Sequence, residues 1–192
     1  MEQTVPVRVG IIGLGRAGYD MHVSELRGRE EFRIVAGCDA LQERTAKLGD
    51  EFGSAAYADH AELLADPDVE LVVVATRQDT HAPITIEALR AGKHVLVEKP
   101  VALNLAETEA MIEAAQQAGR HLLVRQNRRV DPDFLHVREV IESGVLGRVF
   151  YIRLCRHSFG RRRDWQTLRR FGGGLLNNWG PHIVDHALQF LG

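Results

Sequence analysis

The residues V-R-V-G-I-I-G-L-G-R-A-G, from Val7 to Gly18, decide the fold. Their first half is an apolar run rich in β-branched residues, which predicts a short buried parallel strand. Their second half has the spacing Gly13-x-Gly15-x-x-Gly18, which is typical of a turn that leads from such a strand into a dinucleotide-binding helix. Gly13 permits the tight turn, Gly15 lets backbone amides approach a pyrophosphate, and Gly18 allows the helix to pack on the strand. The helix N-terminus then holds the anion.

An acidic residue at a second strand end supports this interpretation. The apolar strand Phe32 to Cys38 ends in Asp39, about twenty residues past the last glycine, where a carboxylate can bind a ribose 2′-hydroxyl. The alternative is an ordinary solvated aspartate at a strand end. We favour the dinucleotide interpretation, and we expect Arg16 and Ala17 at the start of the helix to line the same site.

The carboxylate of Asp39 also bears on the choice of cofactor. It would accept a hydrogen bond from the ribose hydroxyl and repel a 2′-phosphate, so we expect NAD to be preferred over NADP. Arg44 and Arg77 keep NADP possible, because a guanidinium group can pair with a phosphate.

Composition narrows the class of protein. The chain has 192 residues, of which 45% are hydrophobic, and a net charge of -2. A chain of this length and hydrophobic content can bury one hydrophobic core and part of a second. The slightly negative net charge argues against a nucleic-acid binder. Cys38 and Cys155 lie far apart, so we expect reduced thiols rather than a disulfide framework or a zinc site. With neither a signal-peptide pattern nor a membrane-spanning apolar run, we expect a soluble cytoplasmic protein with no membrane partner.

Strand and helix patterns alternate through the first two thirds of the chain. Beyond the two strands above, strands are predicted near Tyr57 and over 71–75, 94–97 and 121–126, and helices over 16–29, 41–52, 61–65, 80–91 and 104–117. Such alternation implies a parallel sheet with helices on both faces, joined by right-handed crossovers. The sequence therefore predicts an α/β, doubly wound domain over residues 1–123.

The pattern changes over residues 124–192. A helix is predicted over 133–143, and the alternation V-F-Y-I-R-L-C-R predicts a strand over 148–156 with one face on a core. The loop 157–170 places Trp165 among five arginines, which form either a solvated face or a patch for an anionic substrate or a cofactor phosphate. One strand is not a stable sheet, so we expect an incomplete α+β domain.

Polar residues follow three predicted strands at their carboxyl ends, where open α/β sheets bind ligands. They are Thr76 and His81 after one strand, Glu98, Lys99 and Pro100 after the next, and Asn127, Arg128 and Arg129 after the last. Lys99 is placed to present an ammonium group to a substrate oxygen, and a surface ion pair with Glu98 is the alternative. His81 is as well suited to hydrogen bonding at a helix N-terminus.

A second polar cluster lies near the end of the sequence. Pro181 is tolerated in the first turn of a helix, so a helix is predicted from Pro181 to Leu191. His182 would then lie near the helix N-terminus, where the dipole favours a neutral ring suited to a general base. His182, Asp185 and His186 share one helical face, but no further ligand is recruited, so no metal is predicted.

Taken in order, these motifs resemble the glucose-fructose oxidoreductase and inositol dehydrogenase family of nicotinamide-dependent enzymes. They are Gly13 to Gly18, Asp39, the run ending at His81, Glu98-Lys99-Pro100, residues 126–129 and residues 172–185. The resemblance implies a Rossmann domain followed by an α/β domain whose open antiparallel sheet supports the substrate site and homo-oligomerisation. Because family members continue with further strands, the chain is expected to be truncated at its C-terminus.

The resemblance also implies a reaction. We expect an NAD(P)-dependent oxidoreductase acting on a sugar, cyclitol or related polyol; the alternatives are an NAD-dependent glycosidase using transient oxidation, or a non-catalytic cofactor-binding relative. Asn178 stands where the family commonly has an aspartate, and an amide cannot accept a proton, so proton removal falls to Lys99 or His182. The expected cofactor site also includes Thr76, His81, Glu98, Lys99 and Asn127, and the expected substrate site consists of Lys99, Arg128, Trp165, Asn178 and His182.

Overall fold

The computed structural model describes residues 5–191, which form two compact units divided between Val124 and Arg125. No helix within 5–191 has both the length and the apolar character needed to cross a membrane. Each unit has its own elements and its own packing.

The first unit is built on a six-stranded sheet. The strands are β1 (Val7–Ile12), β2 (Phe32–Cys38), β3 (Ala55–Tyr57), β4 (Leu71–Val74), β5 (His94–Glu98) and β6 (Leu122–Arg125). Their order across the sheet is β3-β2-β1-β4-β5-β6, and β1 pairs in parallel with both β2 and β4. The order reverses between β1 and β4, which is the switch point where doubly wound sheets bind ligands. The predicted α/β fold is therefore confirmed.

Helices connect these strands on both faces. They are a π-helix (Arg16–Val23) continued by α1 (Ser24–Leu26), α2 (Gln42–Phe52), α3 (His60–Ala65), a 3₁₀ turn (Gln78–Thr80) continued by α4 (His81–Arg90), and α5 (Leu105–Ala118). Local chemistry sets their ends: the Asn104 side chain accepts a hydrogen bond from the Glu107 amide at 2.9 Å, and Gly119 ends α5 at a φ of 61°. The first helix differs from the prediction, because it is mostly π-helical and ends at Leu26 rather than near residue 29.

The core lies on both sides of the sheet. Successive side chains of a strand point to opposite faces, and the two faces of β4 are buried in different apolar clusters. Val72 and Val74 pack with Leu63 and Met111, whereas Val73 packs with residues of the other cluster, such as Leu48. This continuous burial is typical of a parallel strand covered by helices.

The second unit is helical where it is regular. It contains a 3₁₀ turn (Asn127–Val130), α6 (Pro132–Glu142), two further 3₁₀ turns (Trp165–Thr167 and Arg169–Phe171) and α7 (Leu175–Leu191). Phe134 joins the two long helices, since its buried ring lies 4.4 Å from the His186 ring and 5.0 Å from the Phe190 ring.

The predicted strand over 148–156 is wrong. Val149, Ile152 and Leu154 are half-buried in alternation with exposed neighbours, yet the segment is not in a strand. A strand needs a partner for its amides and carbonyls, and residues 126–191 contain no strand at all.

The predicted start of the last helix is also wrong. Helix α7 begins at Leu175, so Pro181 lies inside it and His182 is its eighth residue. A proline inside a helix removes one hydrogen bond and costs about 3 kcal/mol, which the contact of Phe190 with Phe134 and the Arg129–Asp185 ion pair help to offset. The argument that a helix dipole keeps the His182 ring neutral therefore does not apply.

Candidate functional site

The fold requires two of the three glycines in the turn after β1, whereas the third borders an open space. Gly13 has a φ of +91°, and a Cβ on Gly18 would lie 1.8 Å from the carbonyl oxygen of Gly13. Both positions therefore require glycine for the chain to fold this way. Gly15 is different, because a Cβ there would meet nothing closer than Arg44 Nη1 at 3.7 Å. The fold does not demand a glycine at this position, and its missing side chain leaves room for a ligand.

The helix that follows this turn begins without a side-chain cap. Gly15 is the N-cap of the π-helix, with φ -76° and ψ -161°, and no side chain caps the helix. The first amides of a helix have no partner within it, so those following Gly15 are donors suited to an anion. Arg16 and Ala17 occupy these first positions, as the sequence predicted.

Asp39 ties the end of β2 to the same turn. Its carboxylate accepts hydrogen bonds from the Leu14 amide at 2.8 Å and the Leu41 amide at 3.0 Å, and Arg44 Nη1 lies 3.1 Å from Oδ2. The side chain is only 10% exposed, so the alternative of an ordinary solvated aspartate is wrong. The guanidinium group of Arg44, which lies beside Gly15, places a positive charge next to this carboxylate.

The loop after β5 contains Lys99, whose backbone contacts the side chain of Glu98, the last residue of the strand. Glu98 is 6% exposed, so its carboxylate is buried. Its Oε1 lies 3.0 Å from Nε2 of the buried His22, and its Oε2 accepts a hydrogen bond from the Lys99 amide at 3.2 Å. The peptide bond between Lys99 and Pro100 is cis, and both residues are half-buried. Lys99 is thus anchored through its backbone at the carboxyl end of the sheet.

His81 supports the other end of this loop. The ring is 1% exposed, with Nδ1 2.8 Å from the carbonyl oxygen of Pro100 and Nε2 3.3 Å from that of Thr76. Burial lowers the pKa of His81, although the two carbonyl contacts and the charges of Glu98 and Asp79 oppose that shift. The buried ring therefore lies between the segment after β4 and the loop after β5. Its direct contact with a cofactor stays a prediction, as does that of Thr76, whose hydroxyl lies 2.7 Å from that of Thr80.

The expected substrate residues of the second unit gather partly around Trp179. The guanidinium carbon of Arg128 lies 4.4 Å from the centre of the indole ring, and that of Arg156 lies 4.2 Å from it. The buried His182 meets the same indole edge-on at 5.7 Å. Asn178 lies in the first turn of α7, where its backbone N–H donates to the Gly174 carbonyl oxygen at 3.1 Å. Trp179 lies in the motif stretch 172–185 but was not among the site residues expected from the sequence.

The other polar residues of α7 attach the helix to the turn after β6. Arg129 donates to both carboxylate oxygens of Asp185, at 2.8 and 2.5 Å, and these hydrogen bonds raise the pKa of Arg129. His186 Nε2 lies 3.2 Å from the Arg128 carbonyl oxygen. Asp185 and His186 are therefore engaged with the segment Asn127–Val130 and are not arranged with His182 as metal ligands.

The arginine-rich loop is exposed. Arg161, Arg162, Arg163, Arg169 and Arg170 all lie at the surface, and Arg162 pairs with Asp164 at 2.9 Å. Trp165 is half-buried in a 3₁₀ turn whose first residues are capped by the Asp164 carboxylate. A solvated face is consistent with this exposure, and contact of Trp165 with a substrate stays a prediction.

Comparison with known proteins identifies the class. The model of an oxidoreductase family with an NAD-binding Rossmann fold matches residues 7–126, and the model of the GFO/IDH/MocA C-terminal domain matches residues 134–192. The chain therefore belongs to the GFO/IDH/MocA oxidoreductase family, and its first domain is of the NAD-binding type. The resemblance drawn from the sequence is confirmed.

Particular relatives include two inositol dehydrogenases. The chain is 36% identical over 188 residues to myo-inositol 2-dehydrogenase of Thermotoga maritima, covering 97% of this chain and 55% of that protein. It is 31% identical over 189 residues to the NADP(+)-dependent scyllo-inositol 2-dehydrogenase of Bacillus subtilis, covering 97% and 52%. Among solved structures, GenD2 from gentamicin A biosynthesis, in complex with NAD, matches with a TM-score of 0.87 and 29% identity, over 98% of this chain and 55% of that one. The chain thus spans about half the length of the relatives it matches.

Proposed function

We propose that this chain is part of an NAD(P)-dependent dehydrogenase that moves a hydride between a nicotinamide cofactor and an alcohol carbon of a sugar, cyclitol or related polyol. The observation that carries the proposal is the open position at Gly15, inside a turn whose other two glycines the fold itself requires. The two inositol dehydrogenases support the substrate class.

The residues of the first unit fit a dinucleotide. The amides after Gly15 are proposed to bind the pyrophosphate, and the Asp39 carboxylate is proposed to accept a hydrogen bond from a ribose hydroxyl beside its contact with Leu14. A carboxylate has about four lone-pair positions, so its amide contacts leave it able to accept one more donor. When bound, the cofactor supplies a ring carbon that exchanges a hydride.

Lys99 is proposed to act on the substrate oxygen. Its amide is fixed by Glu98 while its half-buried side chain starts at the carboxyl edge of the sheet, where ligands of doubly wound folds bind. An ammonium group there can stabilise the oxygen that gains or loses a proton as the alcohol and carbonyl interconvert. His182 is proposed as a second group for that proton, on the strength of the family resemblance and its burial.

Cofactor binding and turnover are tested separately. Calorimetric titration with NAD tests the site in the first unit, and the absorbance of reduced nicotinamide in the presence of myo-inositol, scyllo-inositol or glucose tests the reaction. We expect both signals. Binding without turnover on any polyol would favour the non-catalytic alternative, and cleavage of a glycoside without net reduction of NAD would favour the glycosidase.

The cytoplasmic location and the homo-oligomer expected from the sequence are part of this proposal. Light scattering coupled to gel filtration tests the oligomer, and a monodisperse monomer would contradict it.

A further inference from the structure

His22 is a buried histidine that neither the glycine motif nor the expected site residues include. It lies near the end of the π-helix Arg16–Val23, and its Nε2 is 3.0 Å from Oε1 of Glu98, which is 76 residues away in sequence. The side chains of His22 and Glu98 are 4% and 8% exposed, so the contact is shielded from water.

A buried carboxylate needs hydrogen-bond donors, and the donors decide its orientation. One oxygen of Glu98 faces His22, and the other accepts the hydrogen bond of the Lys99 amide. Fixing the first oxygen therefore fixes the second, because the carboxylate is planar. The orientation of the His22 ring is in this way transmitted to the backbone of Lys99.

The same contact reaches the cofactor turn. His22 belongs to the helix whose N-cap is Gly15, the residue proposed to face the pyrophosphate. One helix thus has the proposed phosphate-binding amides at its start and the Glu98 contact near its end. A rigid segment of this kind links the placement of the cofactor to the placement of Lys99.

We infer that His22 is a positioning residue, which holds Lys99 in register with the cofactor through the Glu98 carboxylate. The inference rests on the proposed function. An error of about 1 Å in the placement of a reacting group costs about a hundredfold in rate, so loss of this contact should lower kcat far more than it weakens the binding of NAD.

Two substitutions of His22 test the inference. His22→Leu removes the donor, whereas His22→Gln keeps an N–H at nearly the position of Nε2. We expect His22→Leu to lower kcat by roughly 10- to 100-fold with little change in the Kd for NAD, and His22→Gln to restore most of the loss. Hydrogen exchange gives a second readout, since the Lys99 amide should exchange faster in His22→Leu than in the wild type or in His22→Gln.

His60→Leu is the matched control, because His60 and Glu87 form a histidine–glutamate contact of 2.8 Å that is partly exposed to solvent. It should leave both readouts unchanged. The inference is overturned if folded His22→Leu keeps the wild-type kcat and the wild-type exchange rate of the Lys99 amide. It is also overturned if His22→Gln loses as much kcat as His22→Leu. If the wild-type protein reduces no NAD with any polyol, the proposed function fails, while the exchange of the Lys99 amide still decides the role of His22.

Discussion

Replacing Gly15 with alanine should separate cofactor binding from folding. The added Cβ would find its nearest heavy atom, Arg44 Nη1, at 3.7 Å, which is ordinary van der Waals contact. The backbone at Gly15 is extended, a conformation open to alanine. We therefore expect the free energy of unfolding of Gly15→Ala to stay within about 0.5 kcal/mol of the wild-type value.

Gly15→Ala should instead weaken the binding of NAD. The methyl group occupies the space through which the backbone amides approach a pyrophosphate. Losing one hydrogen bond to a charged group costs about 1.5–3 kcal/mol. That corresponds to a rise in the Kd for NAD of roughly 10- to 150-fold.

Urea denaturation and calorimetric titration measure the two quantities. Gly18→Ala is the matched comparison, since its Cβ would lie 1.8 Å from the Gly13 carbonyl oxygen and must distort the turn. That variant should lose stability together with NAD binding. A folded Gly15→Ala protein that binds NAD with wild-type Kd would refute the assignment of the turn as the pyrophosphate site.

Three further predictions concern neighbouring residues. NAD should bind more tightly than NADP, because the Asp39 carboxylate repels a 2′-phosphate, and Arg44→Ser should widen the difference between the two Kd values; tighter NADP binding by the wild type would contradict this. Lys99→Ala should lower kcat by about 10² to 10⁴ with the Kd for NAD largely intact, and loss of NAD binding would instead assign Lys99 to the cofactor. Burial lowers the pKa of His81 from 6.5, so the unfolded chain binds the proton more readily and stability should fall as pH drops below 6.5. The pH dependence of urea denaturation should be weaker in His81→Gln, with a remainder from His94, whose pKa is also lowered by burial; an unchanged slope would show that His81 does not contribute.

The first unit could be predicted closely because its signals are local. A β-branched run predicts a buried strand wherever it occurs, and the strand Phe32–Cys38 has the predicted bounds. The Asn104 cap and the glycines after helices act over a few residues, so their effects are visible in the sequence. The position of Asp39 at the glycine turn followed from the same logic, since parallel strands end at one edge of a sheet.

The errors arose where structure depends on distant partners. Alternation over 148–156 shows that one face is apolar, but a strand also needs a neighbouring strand. The position of Pro181 inside α7 depends on contacts of that helix with α6 and with the segment Asn127–Val130, which outweigh local preference. The contact of His22 with Glu98 joins residues 76 positions apart. The only signal of it in the sequence is a histidine at a buried position of the first helix.

The order of the strands in the sheet also sets how much time passes during synthesis before both partners of β1 have been made. Ile12 pairs with Cys38 on one side, 26 residues later in the chain, but with Val74 on the other, 62 residues later. At about 5–20 residues per second, a ribosome needs roughly 3–12 s to add those 62 residues. Among the strands that gain a neighbour on both sides, the strand that leads into the nucleotide turn therefore keeps one unpaired edge the longest. Changes that slow translation between Tyr57 and Leu71 prolong this exposure without altering the finished protein.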